Sequence, residues 1–215
     1  MARFISLAWR FVVSSGAGTT LVLGAACGGP YPSQTQTATQ SPPQGHAAPR
    51  TEKPFAAGGA VEMQLGGGSY TVRSAPGNVI RVTLGGEAGA ATVDISTEDT
   101  RAKVVVKDTP RNNFQATIEV PQTADLVIRL AAGDLNVEAI TGSKDVESNA
   151  GNVNIVTGEA KDYASVNASV QAGDLNAGAF GESRSGLLQK LAWSGTGKYT
   201  LSARLIAGNL TLRSK

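Results

Sequence analysis

Acid–base and nucleophilic chemistry usually starts from histidine or cysteine, and this 215-residue chain holds one of each, His46 and Cys27. A Ser-His-Asp or Cys-His arrangement needs a base beside its nucleophile. His46 lies within GGPYPSQTQTATQSPPQGHAAPRTEKP (28–54) and reads as a solvated linker residue. Zinc fails for want of His and Cys ligands. Gly66-Gly67-Gly68-Ser69 lacks the Lys-Ser/Thr pair of a phosphate loop and reads as a corner between strands.

Two acidic sets remain. Asp134 and Asp174 stand at equivalent places in a repeated phrase, where other copies carry Asn152 and Asn209. Stacked, these residues form a polar ladder or a weak calcium site. The dense Gly-Gly-x-Gly-x-Asp pattern of calcium-binding repeats is absent, so backbone-bonding corner residues are the preferred reading. Glu98, Asp99, Arg101 and Lys103 mix both signs and read as solvated surface; nothing specifies a paired-carboxylate site. Trp193 and Tyr199 flank SGTGK (194–198). Such aromatics either stack on sugars or close the end of an apolar interior, and closure is preferred. No catalytic residue, cofactor or metal ligand is assigned, and the chain is expected not to be an enzyme.

The elements that position these residues are announced by the repeated phrase. It reads AGDLNV at 132–137, AGNVNI at 150–155, AGDLNA at 172–177 and AGNLTL at 207–212. Its glycines, Gly133, Gly151, Gly173 and Gly208, are separated by 18, 22 and 35 residues. After each glycine, apolar and polar residues alternate, as in a strand with one buried face. Interior candidates are Leu135, Val137, Val153, Ile155, Leu175, Leu210 and Leu212. The pairs Gly133-Asp134, Gly151-Asn152, Gly173-Asp174 and Gly208-Asn209 are the expected structural corners, since glycine tolerates unusual backbone angles and Asp or Asn bonds the local backbone. A strand this short buries its apolar face only by stacking on neighbours. The expected fold is therefore all-β, a β-solenoid of short stacked rungs resembling a single-stranded β-helix.

Between the phrases, LVIRL (126–130), VNASV (166–170) and KYTLSARL (198–205) alternate in the same way. Upstream, SYTVRS (69–74), NVIRVTL (78–84), ATVDIS (91–96), AKVVVK (102–107) and FQATIEV (114–120) read as strands separated by Gly, Pro and Asp turns. GLLQKLAW (186–193) is ambiguous between a helical turn and a longer strand, inside an irregular rung or insertion.

Residues 1–26 read as an export signal, with Arg3 and Arg10 ahead of FVV and LVLGAA and no acid. The segment ends in LGAAC, which resembles a bacterial lipobox; that resemblance implies cleavage before Cys27 and lipidation of Cys27. The apolar run is short of the roughly 20 residues that span a bilayer. Residues 27–54 are expected to be a disordered tether with a reach on the order of 30 Å, and 55–215 the folded domain. Without Arg3 and Arg10, 17 basic residues face 17 acidic ones. That balance gives no electrostatic case for nucleic acid or an anionic membrane surface.

With signal, tether and Gly-Asp/Asn phrases together, residues 60–215 resemble the bacterial “putative adhesin” family, exported or membrane-attached domains with repeated Gly-Asp-(Val/Leu)-x-(Val/Leu) rungs. The resemblance implies adhesion at the cell surface and transfers no catalytic residue. The expected protein is a non-enzymatic, lipid-anchored cell-envelope module for adhesin-like binding or scaffolding, on the periplasmic or cell-surface side. Its expected partners are the membrane, through the lipid, and a glycan or an envelope protein. A module for envelope stress or signalling, acting through a protein partner, is the alternative, followed by a carbohydrate-active enzyme.

Overall fold

The computed structural model describes residues 49–215. The expected signal, Cys27, His46 and most of the expected tether lie outside the described residues. Within them the chain is all-β, with two short 3-10 turns, Ala160–Asp162 and Gly178–Phe180. The strands are β1 (Arg50–Pro54), β2 (Ala60–Ser74), β3 (Val79–Gly86), β4 (Thr92–Glu98), β5 (Arg101–Lys107) and β6 (Phe114–Val120), followed by β7 (Asp125–Val137), β8 (Lys144–Val156), β9 (Tyr163–Ala177), β10 (Glu182–Ser194) and β11 (Tyr199–Arg213). β1 takes up residues that composition had assigned to the end of the tether. The ambiguous 186–193 stretch lies within β10.

All eleven strands join one open, mixed sheet. β2, β7, β8, β11 and β9 run side by side and parallel. On its other side, β2 pairs in parallel with β5 through its first half and with β6 through its second. Antiparallel strands close both ends: β4 on β5, β3 on β6 and β1 on β3 at one, β10 on β9 at the other. Chain order is not spatial order. β11 lies between β8 and β9, where a stack wound in sequence order would put those two in contact.

That order accounts for the uneven repeat. The 18-residue step joins neighbours β7 and β8. The 22-residue step from β8 to β9 passes over the position filled by β11. The 35-residue step goes out along β10 and returns into the gap.

The glycine of each repeated phrase, expected as a corner ahead of its strand, lies inside a longer strand. In β7, Leu126, Ile128 and Leu130 are buried before the glycine, and Leu135 and Val137 after it. The buried parity switches across the exposed residues Ala131, Ala132 and Asp134. The strand therefore bends while its pairing continues, and both limbs feed one apolar cluster. The seven interior candidates of the repeat are at most 2% exposed. Gly151 illustrates the bend: its φ is +122°, and a Cβ there would fall inside contact distance of the Gly133 carbonyl. Only glycine meets both demands.

Aromatic rings cover the interior near β10. Phe180 packs against Trp193 at 5.1 Å and Tyr163 at 6.1 Å, and Tyr163 meets Tyr199 at 6.5 Å.

Candidate functional site

The bend gives each long strand two outward surfaces, and they differ in chemistry. Before the glycines, β7, β8 and β11 present charged side chains. Arg129 contacts Asp145 at 2.9 Å and Glu147 at 3.2 Å, and Arg204 contacts Glu147 at 2.9 Å. A shallow groove of about 590 Å³ runs here, lined in part by Gln64, Val105, Arg129 and Glu147.

After the glycines, two rows of small hydrogen-bonding side chains cross the sheet. The first holds the expected corner residues. Ser69, Asp134, Asn209, Asp174 and Ser185 follow one another in register, with Asn152 between Asp134 and Asn209. The Asn152 amide donates to Asp134 at 2.8 Å, and the Asn209 amide to Asn152 at 2.8 Å. Asp134, Asn152 and Asn209 are thus linked side chain to side chain rather than to the local backbone, and Asp174 stands in register beside Asn209. Among the described residues, no group of three or more His, Cys, Asp or Glu is placed to hold a metal ion.

The second row runs through eight strands, from Thr83 through Thr117, Thr71, Asn136, Asn154, Thr211 and Asn176 to Ser183. At about 4.8 Å per strand it is roughly 34 Å long. The Asn154 amide donates to Asn136 at 2.9 Å. Of this row, strand alternation places Asn136 outward from the sequence alone; its alignment with the other seven residues was not foreseen. The row's signal was the Asn or Thr between the two apolar positions of each repeat, which strand alternation sends outward.

Beyond the rows lies a line of alternating charge: Glu52, Arg81, Glu119 and Arg73 face one another across β1, β3, β6 and β2. Glu119 is 7% exposed and takes Arg81 at 2.6 Å and Arg73 at 2.9 Å. Burial alone would raise its pKa, but the two guanidiniums outweigh it and hold the carboxyl low. Glu52 falls to about 2 through its hydrogen bonds with Arg81 and then Arg50. These are fixed, mutually satisfied charges rather than proton-transfer groups.

Glu98, Asp99, Arg101 and Lys103 sit at the β4–β5 turn, away from the ladder. Asp99 adopts φ +46°, and Lys103 reaches Glu62 at 3.5 Å.

One buried cation escaped the sequence reading. Lys144 is 2% exposed and shares the inward parity of Val146. Its Nζ donates to the Ile140 carbonyl at 2.7 Å, the Gly142 carbonyl at 3.0 Å and the Tyr163 hydroxyl at 3.1 Å. That hydroxyl donates to the Thr157 carbonyl at 2.8 Å. Burial lowers the lysine pKa to about 8 and lifts that of Tyr163 to about 12. The amine is enclosed and fully used, so it braces the fold.

No protein-family model and no curated protein matches the chain. Among solved structures it is similar to a “putative cell adhesion protein” from Clostridium sporogenes, at 12% identity and a TM-score of 0.48, over 78% of this chain and 100% of that one. It is also similar to a “putative adhesin” from Parabacteroides merdae, at 12% identity and a TM-score of 0.28, over 79% of this chain and 92% of that one.

Proposed function

We propose that the protein is a non-enzymatic, lipid-anchored module of the cell envelope with an adhesin-like role, its parallel strands being the rungs of a β-solenoid closed at both ends by antiparallel strands. The observation that carries the reading is the outward face with its eight-strand row of hydroxyl and amide groups, beside a shorter row in which Asp134 and Asp174 add two carboxylates. It lacks the aromatic and apolar centre that protein interfaces favour and the cationic density that nucleic acid requires. The uncharged donors and acceptors of the longer row, at strand spacing, suit a neutral, hydroxyl-rich glycan, and a carboxylate can accept from a sugar hydroxyl as well. Cys27, the expected lipid site, and the tether would hold the domain near the membrane.

The test is retention of the full chain on a panel of immobilised uncharged polysaccharides. Binding without release of sugar is expected, and Thr71→Lys with Thr211→Lys should abolish it while leaving the melting temperature within a few degrees. Release of sugar would overturn the non-enzymatic reading. Retention that survives both lysines would move the site off this face. For the anchor, Cys27→Ser should release the protein from the detergent phase; continued partitioning there would refute lipidation.

A further inference from the structure

β2 bends at Gly66-Gly67-Gly68-Ser69, and its three glycines are not alike. Gly68 takes φ +140°, and a Cβ there would strike the Phe114 ring; one at Gly66 would crowd the Thr109 hydroxyl. Gly67 is under no such demand. Its backbone lies outside the left-handed region, and a Cβ would meet its nearest neighbours, the Ala132 carbonyl and the Thr109 hydroxyl, at 3.9 Å. Ala132 stands beside it in register, and the other repeated phrases also place alanine here, at Ala150, Ala172 and Ala207. A glycine that its strand does not need weakens the strand, and it marks a place where something approaches the backbone closely.

The space above Gly67 is a cleft of about 580 Å³. One wall is the loop between β5 and β6, with Pro110, Arg111 and Asn113; the other is β7 from Ala132 to Asp134. The loop wall is fixed in place. Asp108 and Asn113 hold its ends in left-handed backbone, at φ +55° and +52°, which Asp and Asn tolerate. The Glu87 amide donates to the Asn113 carbonyl at 3.0 Å, and the Thr92 hydroxyl to the Asp108 carboxylate at 3.3 Å. The β7 wall is low, with Ala132 exposed, and beyond it runs the row that Asp134 forms with Asn152 and Asn209.

The two walls carry complementary groups. Arg111 brings a guanidinium and Asn113 an amide on the loop side, and Asp134 a carboxylate on the other. Asp134 takes the Asn152 amide on one oxygen, whereas a carboxylate accepts on both. One cation and one anion balance, so the cleft asks for no net charge in its ligand. Vicinal sugar hydroxyls, each a donor and an acceptor, match such a pair of facing groups. We propose that the cleft is a sugar subsite at the end of the polar face, holding the terminal residue of an uncharged glycan between Arg111 and Asp134. The inference rests on the glycan reading of that face.

The full chain is tested with two probes. One is a panel of methyl glycosides of neutral hexoses and N-acetylhexosamines, followed by saturation-transfer NMR; the other is the panel of immobilised uncharged polysaccharides. At least one glycoside is expected to bind and to elute the protein from a polysaccharide. Gly67→Leu occupies the floor of the cleft without backbone strain. It should weaken glycoside binding by about tenfold or more while the melting temperature stays within a few degrees of the parent's. Arg111→Ala, on the exposed loop, should weaken binding several-fold. Retention on a polysaccharide with no glycoside bound would overturn the subsite and leave the glycan face standing, as would glycoside binding unchanged in both variants. Absence of both retention and glycoside binding would overturn the two readings together.

Discussion

At the residue scale, geometry at Gly151 and protonation at Lys144 make opposite kinds of demand. Gly151 combines φ +122° with a neighbouring carbonyl where a Cβ would stand. Gly151→Val therefore adds backbone strain and overpacking, and a loss of about 2–5 kcal/mol is expected in denaturant titration. A variant as stable as the parent would show that the bend does not need glycine. Lys144 responds to pH. Its folded pKa is about 8 against an ordinary 10.5, so between these values the unfolded chain binds more protons and stability rises with pH. Tyr163 acts with the reverse sign: its hydroxyl keeps its proton to about 12 when folded and loses it near 10 when unfolded, so stability falls above pH 10. Thermal melts should show a maximum near pH 10, with a gain on the order of 3 kcal/mol from the lysine alone. In Lys144→Met the rise between pH 8 and 10 should vanish; its persistence would place the titration elsewhere.

At the element scale, β10 is the informative strand. It reverses direction on β9 but bends where the parallel strands bend, and Leu188 takes φ +56° at that corner while 72% exposed. Leucine gains little there from burial and bears the cost of a left-handed backbone. Leu188→Gly should leave stability within about 0.5 kcal/mol, relief of strain offsetting added chain entropy. Leu191→Ala, at a residue 5% exposed on the same strand, should cost about 2–5 kcal/mol. Equal effects at the two positions would contradict the corner assignment. The contrast also marks what the sequence made legible. Leu126, Ile128 and Leu130 alternate, and the interior positions of each repeat could be read from that period. Continuity of the strands through their glycines could not, because a bend inside a paired strand and a corner ahead of one use the same residues. The partner of each strand was also hidden. AGNVNI, AGDLNA and AGNLTL are near-equivalent, so no copy names its neighbour; only the steps of 22 and 35 residues hinted at an intervening strand. The outward Thr and Asn row appears only once register aligns residues far apart in sequence. The Lys144–Tyr163 bridge likewise joins side chains on strands that never pair.

At the scale of the whole molecule, the long strands nearest the two ends of the described chain, β2 and β11, are both interior to the sheet. This has a mechanical consequence. A coil wound in sequence order would peel from its ends, one ladder at a time and at low force. Here, tension applied through residues 49 and 215 first strips short β1 from β3, then loads strands held on both sides. β11 must slide past β8 and β9 together, along ladders that resist as a group because the strands lie parallel. Single-molecule pulling should therefore give one dominant rupture rather than a staircase of small, equal steps. A regular staircase would mean that β11 bears no load. A fold threaded in this way converts the position of its last strand into resistance to being drawn out.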